Sequence, residues 1–343
     1  MGMNDFDPDA PGVSGGLFGL PHRPDEAKVV ILPVPFEATT SYGRGTVNGP
    51  QRVLEASQQV DLNDPQTGEP WRAGIAMLPF DEELARWNEE ACADALPIID
   101  AGGANTPELK ERLARVNAHG DRLNQRVYEQ ISKILQQGRI PGLLGGDHAV
   151  NFGAIKAAAE KYPGMGILHI DAHADLREAY EGFTWSHASI MYNVHERIPN
   201  LGHIVQVGIR DFGQQEAERI DSWSDLTAFT DHELAWELAS GETWMRIAGR
   251  IVRPLPKNVW VSFDVDGLDP SLCPATGTPV PGGLAWRDAL LLLQLLAEEH
   301  RIVGFDLVEI GDAEWDANVG ARLLYKLAGW AIATADQPVS SRR

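Results

Sequence analysis

Short apolar runs alternate with longer amphipathic stretches along most of this chain. Residues 28–34 (KVVILPV), 140–144, 166–170, 203–207, 259–263 and 302–308 are aliphatic and rich in β-branched side chains. They are too short for helices, which predicts buried strands. Residues 105–137 carry Leu109, Leu113, Val116, Leu123, Val127, Ile131, Ile134 and Leu135 at helical spacing, with Thr106 as N-cap and Pro107 in the first turn. Further helices are predicted from 50 through 55 and over 149–161, 286–300 and 320–333. Residues 60–104 show no clear period, and Asp64-Pro65 and Gly102-Gly103 mark turns. Strands alternating with helices predict a mostly parallel sheet covered on both faces. Residues 1–27 read as an irregular arm. No repeat, linker or composition break follows residue 104, so residues 28–343 are expected to form one domain.

Composition narrows the possibilities. The chain has 343 residues, 43% of them hydrophobic, enough for a substantial core. A net charge of −20 disfavours nucleic-acid phosphates and anionic membranes, and steers cations only weakly. The two cysteines, Cys92 and Cys273, form no metal-type or redox pair, so a reducing, cytoplasmic setting is expected. The N-terminus lacks the basic-then-apolar pattern of a signal peptide, and no apolar run is long enough to span a bilayer.

Three segments just beyond predicted strands concentrate acids and imidazoles: Gly145-Gly146-Asp147-His148, Asp171-Ala172-His173-Ala174-Asp175, and Ser262-Phe263-Asp264-Val265-Asp266-Gly267-Leu268-Asp269-Pro270. In parallel sheets, ligands bind beyond the carboxyl ends of the strands. Asp171 and His173 share a strand face, as do Asp264 and Asp266. Four carboxylates gathered with His148 and His173 would repel one another unless cations lay between them, and this N/O set suits divalent transition metals. Asp147 reads as a helix cap or an orienting group, His169 as a satisfied core histidine, and Asp269-Pro270 as a turn. Glu309 ends the last strand, where a carboxylate suits a planar cation such as guanidinium. His187, in a loop beyond Asp175, is expected to shuttle protons.

These segments, with Val308-Glu309-Ile310 downstream and the early stretch 32–50 (LPVPFEATTSYGRGTVNGP), resemble the ureohydrolases, a family that includes arginase, agmatinase, guanidinobutyrase, formiminoglutamase and guanidine hydrolase. The resemblance runs over residues 28–333. It implies a three-layer α/β/α sandwich with a mostly parallel sheet of about eight strands. It implies two divalent ions, manganese or nickel: one held by His148, Asp171, Asp175 and Asp264, the other by Asp171, His173, Asp264 and Asp266. It implies that Asp175 moves a proton to the leaving nitrogen, that Glu309 holds the guanidinium and that His187 relays protons. It also implies a homo-oligomer, commonly a trimer or hexamer.

Arginase-type members read the amino-acid head with an Asn- and Ser-rich loop. Here residues 176–186 (LREAYEGFTWS) contain no Asn. Tyr180, Phe183 and Trp185 are expected to wall a small cationic guanidine. The expected substrate is therefore agmatine, guanidine or a short N-alkyl guanidine, cleaved to urea plus an amine or ammonia. Arginase or guanidinobutyrase activity is the alternative. A helper subunit of a hetero-oligomer fits less well, since all six ligand positions are filled, and a single-metal deacetylase of related fold would need an Asp/His/Asp set and a paired-His segment, which the DAHAD and DVD pattern does not match.

Overall fold

Side chains along each short strand alternate between two apolar layers. In β1 (Val29–Val34), Val29 and Ile31 enter one core, while Val30 and Leu32 enter the other. A strand buried on both faces must be covered on both faces. The computed structural model describes residues 6–10, 12 and 15–335. After β1 come α1 (Gly49–Ala56), β2 (Ile75–Met77), α2 (Glu82–Asp100), α3 (Pro107–Gln136), β3 (Ile140–Gly145) and α4 (Phe152–Lys161). Then follow β4 (Gly166–Ile170), α5 (Ile190–Arg197), β5 (Ile204–Ile209), α6 (Gln214–Ser222), β6 (Leu226–Thr230), α7 (Asp231–Ala239) and α8 (Trp244–Val252). The last described elements are β7 (Asn258–Asp264), α9 (Trp286–Glu299), β8 (Arg301–Val308) and α10 (Glu314–Ala335).

The eight strands form one sheet in the order β2-β1-β3-β8-β7-β4-β5-β6, and every pairing is parallel. Side chains of α8, α9 and α10 pack on one face, and those of α2, α3, α4 and α5 on the other. This is the three-layer α/β/α sandwich with about eight strands that the resemblance implies. The Thr106 side chain accepts from Leu109 N–H at 3.2 Å, capping α3 as its sequence predicts.

Several boundaries differ from those the sequence predicts. Residues 60–104 contain β2 and α2, the latter capped by Asp81 and carrying Pro97 internally. The helix expected to start at residue 149 begins instead as a tight 3-10 turn, His148–Asn151, and continues as α4. Residues 17–20 of the arm are not loose. Leu17, Phe18 and Leu20 are buried in the face formed with α10, and Phe18 meets Tyr325 edge-on with ring centroids 4.8 Å apart.

Candidate active site

The four central strands, β3, β8, β7 and β4, end side by side. Their carboxyl ends carry His148, Glu309, Asp264 with Asp266, and Asp171 with His173 and Asp175. The topology thus gathers three segments that lie far apart in sequence. Close backbone approach makes this possible: a Cβ on Gly146 would sit 2.1 Å from Phe36 O, and one on Gly267 would sit 2.6 Å from Asp171 N.

His148 Nδ1 lies 3.0 Å from Asp171 Oδ2, 3.2 Å from Asp175 Oδ2 and 3.3 Å from Asp264 Oδ2, all in buried surroundings. The hydrogen bonds behind the ring decide its proton. Ser262 Oγ–H donates to Asp306 Oδ1 at 2.9 Å, and Asp306 Oδ2 accepts from Trp260 Nε1–H at 2.5 Å. Ser262 Oγ therefore accepts from His148 Nε2–H at 2.9 Å. In the neutral ring, Nδ1 then turns a lone pair toward three carboxylate oxygens. A cation seated between them relieves that repulsion, as does a second proton on Nδ1: despite burial, Asp171, Asp175 and Asp264 hold the ring's pKa well above the ordinary imidazole value. The separations are those of ligands around one ion, since bonds of about 2.2 Å at right angles put neighbouring donors about 3.1 Å apart. A second group shares Asp171: His173 Nδ1 lies 3.0 Å from Asp266 Oδ2 and 3.4 Å from Asp171 Oδ1. The donor set fits two divalent ions.

Titration behaviour points the same way. Burial, then Asp266 and Asp171, push Asp264 well above the usual carboxylate range. Burial and Asp171 raise Asp175 to about 6. Burial, then Asp264 and Asp147, push Glu309 well up as well. Burial disfavours the charged form of His173, yet Asp266 and Asp171 hold it up at about 12. Without cations, Asp264, Asp175 and Glu309 are thus pushed toward their protonated forms, whereas His169, His148 and His173 hold Asp171 well below the usual carboxylate range despite its burial.

His169 also lies within reach of the first group, but both its ring nitrogens are engaged, one by Asp171 and one by Gln206. Asp147 is fully buried and accepts from Ala149 N–H at 3.2 Å, a capping role. Asp269 accepts from Ser271 N–H and O–H, forming the expected turn. Asp175 and Glu309 sit on left-handed backbone, with φ of 55° and 62°. That conformation costs non-glycine residues of order 1 kcal/mol and is concentrated at sites of function.

Glu309 Oε1 accepts from His148 N–H at 2.9 Å, and no described residue forms an ion pair with the carboxylate. A cavity of about 160 Å³ opens over the nest, lined by Ser41, His173, Asp175, Arg177, Tyr180 and His187. Asp211, Glu216 and Thr278 complete its wall. His187 Nε2 lies 3.4 Å from Ser41 Oγ. Burial, then the His173 and His148 rings, lower its pKa to about 4.

Of the three aromatics expected at the pocket, Tyr180 lines the cavity, its ring edge-on to His187. Phe183 lies elsewhere, fully buried against Ala95, Ile98 and Val116. Trp185 packs on Phe152 and donates its indole N–H to Asp121 at 2.7 Å. Alternation along an irregular loop is not readable from sequence, and these two rings turn inward. Motif reading also passes over Ser262, Asp306 and Gln206 as supports. Each is a polar residue inside an apolar strand, a signal that something buried needs a hydrogen bond.

The arginase-family model matches residues 27–329. An N(1)-aminopropylagmatine ureohydrolase of Thermus thermophilus is 33% identical over 321 residues, covering 91% of this chain and 94% of the relative. An agmatinase of Bacillus cereus is 31% identical, covering 87% and 88%. The crystal structure of an agmatine ureohydrolase of Thermoplasma volcanium superposes with a TM-score of 0.70 at 24% identity, covering 92% and 93%. With the family match spanning nearly the whole chain, this protein belongs to the arginase family, as a hydrolase of guanidino C–N bonds.

Proposed function

We propose that this chain is a binuclear metal hydrolase that releases urea from a guanidino compound lacking an α-amino acid head. The observation that carries the metal reading is the His148 lone pair aimed at three carboxylates. His148, Asp171, Asp175 and Asp264 would hold one ion, and Asp171, His173, Asp264 and Asp266 the other. When bound, such a pair supplies Lewis acidity that makes water a nucleophile near neutral pH.

The protein groups do the rest. Glu309 is buried, held by His148 N–H and without a cationic partner among described residues, so a guanidinium satisfies its charge. Water adds to the guanidinium carbon, and the bond to the leaving nitrogen breaks. Asp175, at the strand end beside His148, takes a proton from that water and passes it to the leaving nitrogen. His187, neutral above about pH 4 and beside Ser41, relays protons at the cavity wall.

Agmatine, guanidine and short N-alkyl guanidines remain the substrates of choice. The cavity is small, and Tyr180 offers an aromatic face to a cation. Relatives named for agmatine and aminopropylagmatine favour an amine-bearing tail. Arg177 argues against a carboxylate tail, as in guanidinobutyrate, because Glu216 already neutralises it with Nε–Oε2 at 3.4 Å. Manganese and nickel both suit the ligands. Cytoplasmic residence and assembly as a trimer or hexamer belong to the same reading, supported by cysteine usage and family resemblance.

A urea-release screen over arginine, agmatine, guanidinobutyrate, guanidine and alkyl guanidines, with protein reconstituted in manganese or nickel, tests this. We expect agmatine or a small guanidine to lead. Arginine as best substrate overturns the head-group reading.

A further inference from the structure

A row of buried polar side chains crosses the sheet one pleat before the ligands. Asp306 pairs in register with Ser262, Ser262 with His169, and His169 with Gln206, across β8, β7, β4 and β5. All four are fully buried. Four polar groups in one row of an apolar sheet are costly unless they support something. Ser262 and Asp306 orient His148, as described. The other half of the row points at Asp171.

Gln206 Nε2 donates to Ala174 C=O at 2.7 Å and to His169 Nδ1 at 2.9 Å. A carbonyl only accepts, so the atom facing Ala174 is the amide nitrogen, and His169 Nδ1 is the acceptor. The ring proton therefore sits on Nε2, which donates to Asp171 Oδ2 at 2.9 Å. Asp171 Oδ1 accepts from His173 N–H at 2.6 Å. Each carboxylate oxygen thus takes one hydrogen bond from the protein and meets one ligand imidazole, His148 at Oδ2 and His173 at Oδ1. Among the described residues, buried Gln206 Oε1 has no hydrogen-bond partner, so the amide is held this way round despite a cost.

We propose that His169 and Gln206 are positioning residues that set the rotation of the Asp171 carboxylate so that it can serve both ion positions at once. The assignment rests on the metal reading above and concerns Asp171 alone. Hydrogen-bond partners of metal ligands are worth about tenfold or more in metal affinity.

Manganese is titrated calorimetrically into the chelator-stripped, full-length protein, and metal-free melting curves check the fold. His169→Phe keeps a ring without a donor and should weaken binding of at least one ion about tenfold. His169→Gln returns an N–H near the Nε2 position and should recover most of that loss. Gln206→Met removes both donated hydrogen bonds and should fall between. The Michaelis constant for the guanidino substrate at saturating metal should not move. Wild-type metal constants in both His169→Phe and Gln206→Met, or no recovery in His169→Gln, overturn the assignment while leaving the metal centre standing. If His169→Phe does not fold, Gln206→Met decides. A wild-type chain that binds no transition metal sinks the centre itself, and the assignment with it.

Discussion

The nest at the strand ends and the rim above it are built on opposite terms. In the nest, Asp171, Asp264, Asp266 and His148 are 1–3% exposed, each anchored by backbone or strand-borne hydrogen bonds. At the rim, Arg177 and Tyr180 line the cavity from the irregular loop that follows Asp175. The nest holds like charges at close range, so small displacements matter and rigid strands must carry them. The rim meets the variable part of a substrate, and a loop can change without disturbing the sheet. Under the proposed function, metal-held chemistry belongs to the nest, and contact with the substrate's tail to the loop above it.

The largest effect that sharpens this contrast is expected inside the nest. Asp264→Asn should lower turnover on the order of 10³-fold or more and cause loss of metal on dialysis. Elemental analysis beside a urea assay checks it, and activity within tenfold of wild type would erase the distinction between the two regions. Removing metal with a chelator should abolish turnover, with recovery on readdition.

Phe183→Ala comes next. Because Phe183 fills a small core under the rim rather than the cavity, the change should cost about 3–5 kcal/mol of stability, read by denaturant unfolding. Its kcat/KM per folded molecule should stay near wild type. An altered substrate profile at unchanged stability would return Phe183 to the pocket.

His187 gives a smaller, pH-dependent signal. The folded ring stays neutral down to about 4, whereas an unfolded histidine takes its proton near 6.5. The unfolded state then binds more protons between those values, so stability falls as pH drops from about 6.5 to about 4. In the metal-free protein His187→Asn should lose less over that window, by about 1 kcal/mol once partial exposure of the ring is discounted. Parallel melting curves for the two proteins would count against the buried, neutral imidazole.

Tyr180→Leu should do least. It should raise KM for a cationic guanidine about threefold with kcat unchanged, the worth of one exposed cation–π contact. A collapse of kcat would show that the rim takes part in the chemistry.

The nest is legible in the amino-acid sequence. Motifs of alternating acid and imidazole after apolar runs carry both spacing and strand context, and every such residue in DAHAD and DVD reaches the site. The rim is only partly legible, because Tyr180, Phe183 and Trp185 lie in a loop without period. Which ring faces water there depends on contacts with α2 and α3, segments remote in sequence. Helix α2 escapes a pattern-based reading because its polar face and internal Pro97 obscure the helical period.

By itself the sequence determined the alternation of strands and helices, the two-sided burial of the sheet and the ligand types at the strand ends, since all three are local properties of spacing and polarity. Only the tertiary structure decided the strand order that sets β3 beside β8 and β7 beside β4, the proton on His148, and the row of buried donors behind the carboxylates. Those depend on pairings between strands that are distant along the chain, and no local pattern encodes which strand lies next to which.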